Sequence, residues 1–222
     1  MGTFNKLSVD ASGTLTAGNG FVTVVLNNLE EDPKSAAQLI SGVGFDVAGA
    51  TGSGSLTTAN HANTMIDISG SGTGSYTILG SSSLPSWKAT ETTTKTGASI
   101  YLTTLGGGNP ASLIIGPPDT ANLYDVANDS IRGNDNGKNP STGDNPSIKE
   151  TASFTITIPG VTSSSTISDA VIYFGTDGSK LDTTNTPCVP DGGSTLAFLG
   201  FAMLGLVFLR GKSGFAFGGK NA

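Results

Sequence analysis

Residues 152–160 read ASFTITIPG, and this stretch narrows the choice of fold more than any other. Phe154, Ile156 and Ile158 alternate with Thr155 and Thr157. That period of two sends one set of side chains to each face of a strand. A helix buried on one side needs apolar residues three or four apart, and no long stretch before residue 190 keeps that spacing. Similar runs recur at 21–26 (FVTVVL), 43–47, 65–68, 76–79, 100–102, 113–115 and 170–174. They favour Val, Ile and Thr and stop at Gly, Asn or Pro. The pattern predicts an all-β, antiparallel β-sandwich or jelly-roll-like domain with one buried face per sheet. Only KSAAQLI at 34–40, after Pro33, predicts a helical turn. Two stretches read as loops: 49–63, small and polar, and 125–146, which holds Asn-Asp-Asn-Gly at 134–137.

Composition limits what such a body can do. The chain of 222 residues suits one domain of about 150–190 residues plus appendages. Charged residues make up 13%, about half the usual share. There are 17 acidic against 11 basic residues, and Arg210, Lys212 and Lys220 all follow the last acid, Asp191. The body is therefore more acidic than the net charge of −6 implies. Binding nucleic-acid phosphates takes clustered cations, so no nucleic-acid partner is expected. Cys188 is the single cysteine, which rules out an intrachain disulfide. With His61 the single histidine, a zinc site of the usual ligands cannot be assembled. Gly211-Lys212-Ser213 imitates the end of a phosphate-binding loop, but the first glycine would fall at Leu206. No cofactor is expected.

Candidate chemistry is sparse. His61 sits in the polar run TTANHANT, and the chain has no Gly-x-Ser-x-Gly elbow, so it reads as an exposed loop histidine. Asp125, Asp129 and Asp135, with Asp119 and Asp144 nearby, are weak calcium candidates. Their spacing fits no EF-hand, and Asp is an ordinary turn residue, so a solvated loop without metal is expected. Glu30, Glu31 and Asp32 could supply a glycosidase carboxylate pair, though three acids before Pro33 more often mark a solvated turn. Trp87 and Tyr76 read as core aromatics, or as sugar-stacking platforms if exposed. No catalytic residue is assigned and no enzymatic activity is expected.

The end of the chain is different in kind. Residues 196–209 (LAFLGFAMLGLVFL) carry no charge and are apolar or small on every side. A helix resting on a sheet would keep a polar face, so this block predicts a transmembrane helix. As a helix it is roughly 21 Å long against a bilayer core of about 30 Å. Gly193, Ser194 and Thr195, with a snorkelling Arg210, bring it nearer to spanning. Arg210 and Lys212 form a basic edge that predicts a cytoplasmic tail and an exported body. The opening MGTFNKLSVDAS lacks the apolar core of a secretory leader, so export predicts an in-frame leader upstream of Met1.

In front of that block stands Val-Pro-Asp-Gly-Gly-Ser-Thr, residues 189–195. Motif, apolar helix and basic end, in that order, resemble the PEP-CTERM class of sorting signals, and most of all the variant reading Val-Pro-Asp-Ser-Gly. Val189, Pro190, Asp191, Gly193, Ser194 and Thr195 match, and Gly192 stands where that variant has serine. The stretch 171–177 (VIYFGTD) is loosely similar in style to such proteins. The resemblance implies recognition by an exosortase, a membrane transpeptidase-like enzyme, with cleavage near the motif. It also implies a Gram-negative bacterium making an extracellular polysaccharide or biofilm matrix, with that polysaccharide as a candidate partner. The protein would pass through an inner-membrane intermediate to the cell surface or matrix. The chain departs from the pattern in having only Arg210 and Lys212 as its basic end and in running on to Ala222. Pro190 and the glycine pair suit a processing site, because they keep the backbone out of the helix. Cys188 just before it reads as incidental, or as an acyl or redox group at the membrane edge. The expected organisation is a body at 1–175, a polar linker at 176–188, the signal at 189–212 and a tail at 213–222. Two other readings stay open: a secreted carbohydrate-binding or carbohydrate-active protein with the same tag, and a single-pass membrane protein whose helix is never cut.

Overall fold

The structure, a computed structural model, describes residues 2–4, 7–52, 55–60, 65–69, 73–80, 87–93, 97–105, 112–132, 146–176, 183–184 and 188–190. Its strands are β1 (Gly2–Phe4), β2 (Leu7–Val9), β3 (Ala11–Gly18), β4 (Phe21–Asn28), β5 (Ile40–Ala48), β6 (Ser55–Asn60), β7 (Met65–Ile68) and β8 (Tyr76–Gly80). They continue with β9 (Lys88–Thr93), β10 (Gly97–Thr103), β11 (Ile114–Ile115), β12 (Ser147–Lys149), β13 (Thr151–Thr157), β14 (Ile167–Phe174), β15 (Thr183–Thr184) and β16 (Cys188–Pro190). A 3-10 turn at Ala36–Gln38 and the one-turn helix α1 (Asp129–Arg132) are the helical elements among the described residues. The fold is all-β, as the period-two patterning predicts.

Two sheets enclose one main core. The smaller has the order β16-β3-β4-β13-β6. Its inward side chains are the apolar phase of each strand: Leu15 from β3, Val22, Val24 and Leu26 from β4, Phe154 and Ile156 from β13, all buried. The outward phase carries Thr14 and Thr16, Thr23, and Thr155 and Thr157, a threonine-rich and uncharged face. Along this sheet the register fixes Thr16 opposite Thr23 and Thr23 opposite Thr155.

The larger sheet is organised by β5. It pairs antiparallel with β10 on one side, Gly44 opposite Tyr101, and with β14 on the other, Gly44 opposite Val171. Strand β9 extends this arm beyond β10, and β15 pairs with β14 at the other edge. At Ile40 the sheet passes through β11 to β12, β7 and β8. The inward residues Val43, Phe45, Val47, Ile100, Leu102 and Ile172 meet the smaller sheet's core. Each such buried aliphatic side chain contributes about 1.5–3 kcal/mol relative to an exposed one. A second cluster, with Leu39, Ile66, Ile115, Tyr124 and Ile131, lies under the β11-β12-β7 arm, where the 3-10 turn and α1 cover it.

One of the sequence expectations needs revision here. Residues 55–60, read as part of a loop, form β6 and pair with β13. The stretch read as a polar linker, 176–188, contributes β15 and the first residue of β16. Within 34–40 the helical turn is present but is 3-10 and only three residues long, closed by a capping box between Ser35 and Gln38. No helix among the described residues is long and apolar enough to cross a membrane. The apolar block at 196–209 lies outside the described residues.

Candidate functional site

The sorting motif begins inside the folded body. Cys188, Val189 and Pro190 form β16, which runs parallel to β3 with Val189 opposite Thr14 and Pro190 opposite Leu15. Proline lacks the N–H a central strand would use, so an edge position suits it. The compact unit spanning Met1–Pro190 ends within the motif. Asp191, Gly192, Gly193, Ser194 and Thr195, and the basic residues Arg210 and Lys212, lie outside the described residues.

With that geometry in view, comparison with known families is decisive for the C-terminus. Residues 189–213 match the VPDSG-CTERM motif. The chain therefore carries a PEP-CTERM-type C-terminal sorting signal, of the kind generally recognised by exosortase, and this marks a secreted or surface protein. No curated protein matches the chain. No solved structure matches it either. The match covers the signal and leaves the β-rich body to be read from its own residues.

The other residues singled out in the sequence fall in different places. His61, Asp135 and Asp144 lie outside the described residues. Asp129 opens α1 and is exposed. Asp119 and Asp125 come close to Asp32, which changes the reading of the Glu30-Glu31-Asp32 run as a solvated turn. Asp32 is half-buried, with left-handed backbone (φ 46°), and its N–H donates to the Pro117 carbonyl at 2.9 Å. Burial, then the hydrogen-bonded Asp125 carboxyl and its charge, push the Asp32 carboxyl up to about 6. Its Oδ1 is buried with no hydrogen-bond partner among the described residues. Glu30 is tied down as well, since its Oε1 accepts from Ser8 Oγ and from Gln38 Nε2. The cause is a loop at 116–119 that lies tightly on this turn: a β-carbon on Gly116 would fall 1.9 Å from the Glu30 carbonyl oxygen. Among the described residues no group of three or more His, Cys, Asp or Glu is placed to hold a metal ion.

The aromatics divide. Trp87 is buried, its Nε1 donates to the Ser112 carbonyl at 2.8 Å, and its ring lies 4.6 Å from that of Phe154 across the core. It is a core aromatic and not a platform. Tyr76 is half-exposed, edge-on to Tyr124 at 5.4 Å, and donates to Asn122 Oδ1 while accepting from Lys149 Nζ. Burial forces the Tyr124 phenol far above its ordinary range, so it remains a donor, to the Gly116 carbonyl at 2.8 Å.

Sequence reasoning missed a third pair. Tyr101 and Tyr173 occupy the outward phase of β10 and β14, with ring centroids 5.1 Å apart at 83°. They wall a groove of about 290 Å³ on the outer face of the larger sheet, together with Asp46, Asp169, Thr90 and Thr92. The available signal was phase: each tyrosine stands where its strand's alternation calls for a polar residue.

Proposed function

We propose that this chain is an exported, non-catalytic surface or extracellular-matrix protein of a bacterium, released or anchored by an exosortase that reads Val189 to Thr195. The VPDSG-CTERM match at residues 189–213 carries the reading. The uncharged block at 196–209 would sit in the inner membrane as the signal's helix, with Arg210 and Lys212 on the cytoplasmic side. An acidic, mostly β body whose two sheets share one apolar core supports a structural role outside the cell.

The test is co-expression of the chain, behind a secretory leader, with an active exosortase, followed by mass and location of the product. Cleavage near the motif, with release from the inner membrane, is expected. Pro190→Ala with Asp191→Ala should abolish it. Gly192→Ser, which restores the family's serine, should process at least as fast as the parent. Full-length chain persisting in the membrane beside an active exosortase favours an uncut single-pass protein and overturns the proposal.

A further inference from the structure

We infer that the groove between Tyr101 and Tyr173, on the outer face of the larger sheet, is a binding site for a neutral glycan. This inference rests on the groove and not on the sorting signal.

The floor is built to be empty. Gly44 lies on β5 between the two tyrosine-bearing strands, opposite Tyr101 on β10 and Val171 on β14. A β-carbon there would come to 3.0 Å from the Tyr173 hydroxyl, so the ring lies across Gly44 and a larger residue would have to push it aside. Covering a strand glycine accounts for Tyr173 by itself. It leaves unexplained why Tyr101 meets it nearly edge-on and why both rings stay partly exposed. Two phenol rings set at 83° offer one face and one edge to a ligand.

The polar groups are placed by a device. The pairing of β14 with β5 slips between Ser168 and Val171, and Asp169 takes left-handed backbone (φ 51°) within that bulge. Bulges re-aim side chains, and here Asp169 joins Asp46 as a lining residue of the groove. Thr90 and Thr92 line the β9 side.

Chemistry selects the ligand. Two carboxylates and, among the described residues, no lysine or arginine line the groove, so phosphates, uronates and other anions are repelled. Carboxylates accept paired hydroxyl hydrogen bonds, which are stronger for being charge-assisted. The C–H face of a pyranose is electropositive and suits the negative face of an aromatic ring. Aromatic walls with a few convergent polar groups are the usual composition of a small-molecule site. The volume, about 290 Å³, is at the small end for such sites and limits contact to one or two sugar units of a longer chain.

The experiment uses the full-length chain in detergent, run by affinity electrophoresis through gels containing dextran, galactomannan, hydroxyethylcellulose or polygalacturonate. Retardation by at least one of the three neutral polymers is expected, and none by polygalacturonate. Tyr101→Ala and Asp46→Asn should each weaken the retarding interaction by about tenfold, the scale of one aromatic or charge-assisted contact. Asp169→Asn keeps the left-handed backbone that Asn tolerates and should weaken it as well, so the site stays testable if Tyr173→Ala unfolds. Thr14→Ala, on the opposite sheet, should leave it unchanged. Migration unaffected by all three neutral polymers, retardation by polygalacturonate alone, or variants that bind like the parent would overturn the assignment. Failure of exosortase processing would not bear on it.

Discussion

Asn28 Nδ2 donates to the Ile114 carbonyl at 2.8 Å, and this hydrogen bond joins the two sheets through the interior. Asn28 ends β4 in the smaller sheet, and Ile114 begins β11 in the larger. The same amide nitrogen also donates to the Gln38 carbonyl at 2.9 Å, while Oδ1 accepts from the Glu30 N–H. The side chain is 1% exposed, so each of these bonds stands in for water that cannot reach it. Asn28→Asp would turn a carboxylate toward two carbonyl oxygens in a buried site. A loss of about 2–4 kcal/mol in unfolding free energy is expected by urea titration. Stability equal to the parent would mean that the bridge contributes nothing.

Trp87 gives a second handle on the same interior. It fills the space above Phe154 and is the chain's single tryptophan, so its fluorescence reports on the main core. Trp87→Phe keeps most of the volume but abandons the Ser112 carbonyl, and should cost about 1–3 kcal/mol. Trp87→Ala also opens a cavity and should cost about 3–5 kcal/mol. The ordering of the two variants in thermal unfolding by circular dichroism checks the claim. In the parent, the emission should shift to the red when the core opens.

The strands at 21–26, 43–47 and 152–158 were legible because Val, Ile and Phe mark their inward phase without ambiguity. Strand β3 was not, because its inward phase is Ala11, Gly13 and Leu15 and its outward phase is serine and threonine, which reads as linker. The Asn19-Gly20 pair between β3 and β4 was the signal available for it: Gly18 faces Phe21 across a two-residue turn with Gly20 at φ 85°. Strand β6 failed for the same reason as β3, since SLTTAN has hardly an apolar residue and is held by its ladder to β13. The sorting motif was legible in full because its information is local and linear. The Asp32, Asp119 and Asp125 cluster and the Tyr101–Tyr173 pair were not, because long-range chain returns bring together residues far apart in sequence.

Glycine substitutions separate crowding from backbone strain. At Gly116 the added β-carbon would meet the Glu30 carbonyl at 1.9 Å, backbone against backbone. At Gly20 it would meet nothing within 4 Å, yet the residue holds φ 85°. Gly20→Ala should therefore cost about 1–2 kcal/mol, the penalty for left-handed backbone alone. Gly116→Ala carries no left-handed penalty but must displace the turn carrying Asp32, and should cost more, about 3 kcal/mol or above. Denaturant midpoints for the two variants give the comparison, and the reverse order would sink it.

Asp32 makes stability depend on pH in an unusual direction. Its carboxyl titrates at 3.8 when unperturbed and is pushed up to about 6 in the fold, by burial and by the Asp125 carboxyl beside it. Between those values the folded state holds a proton that the unfolded chain has released. By linkage, this group's contribution is fully present below 3.8 and is lost as the pH rises through 6. Most paired carboxylates do the opposite. Asp32→Asn stays neutral throughout and tolerates the left-handed backbone. The variant should therefore match the parent near pH 3.5 and exceed it at pH 7, by about 1 kcal/mol once solvent screening of a half-buried group is allowed for. Urea midpoints of both proteins at half-unit intervals from pH 3.5 to 7.5 would show the gap opening across that window and levelling above it. Because the remaining carboxylates are common to both chains, their titration largely cancels in the difference. A gap that stays constant with pH would mean that Asp32 titrates alike in the folded and unfolded chains and that the Asp125 contact does not hold its proton.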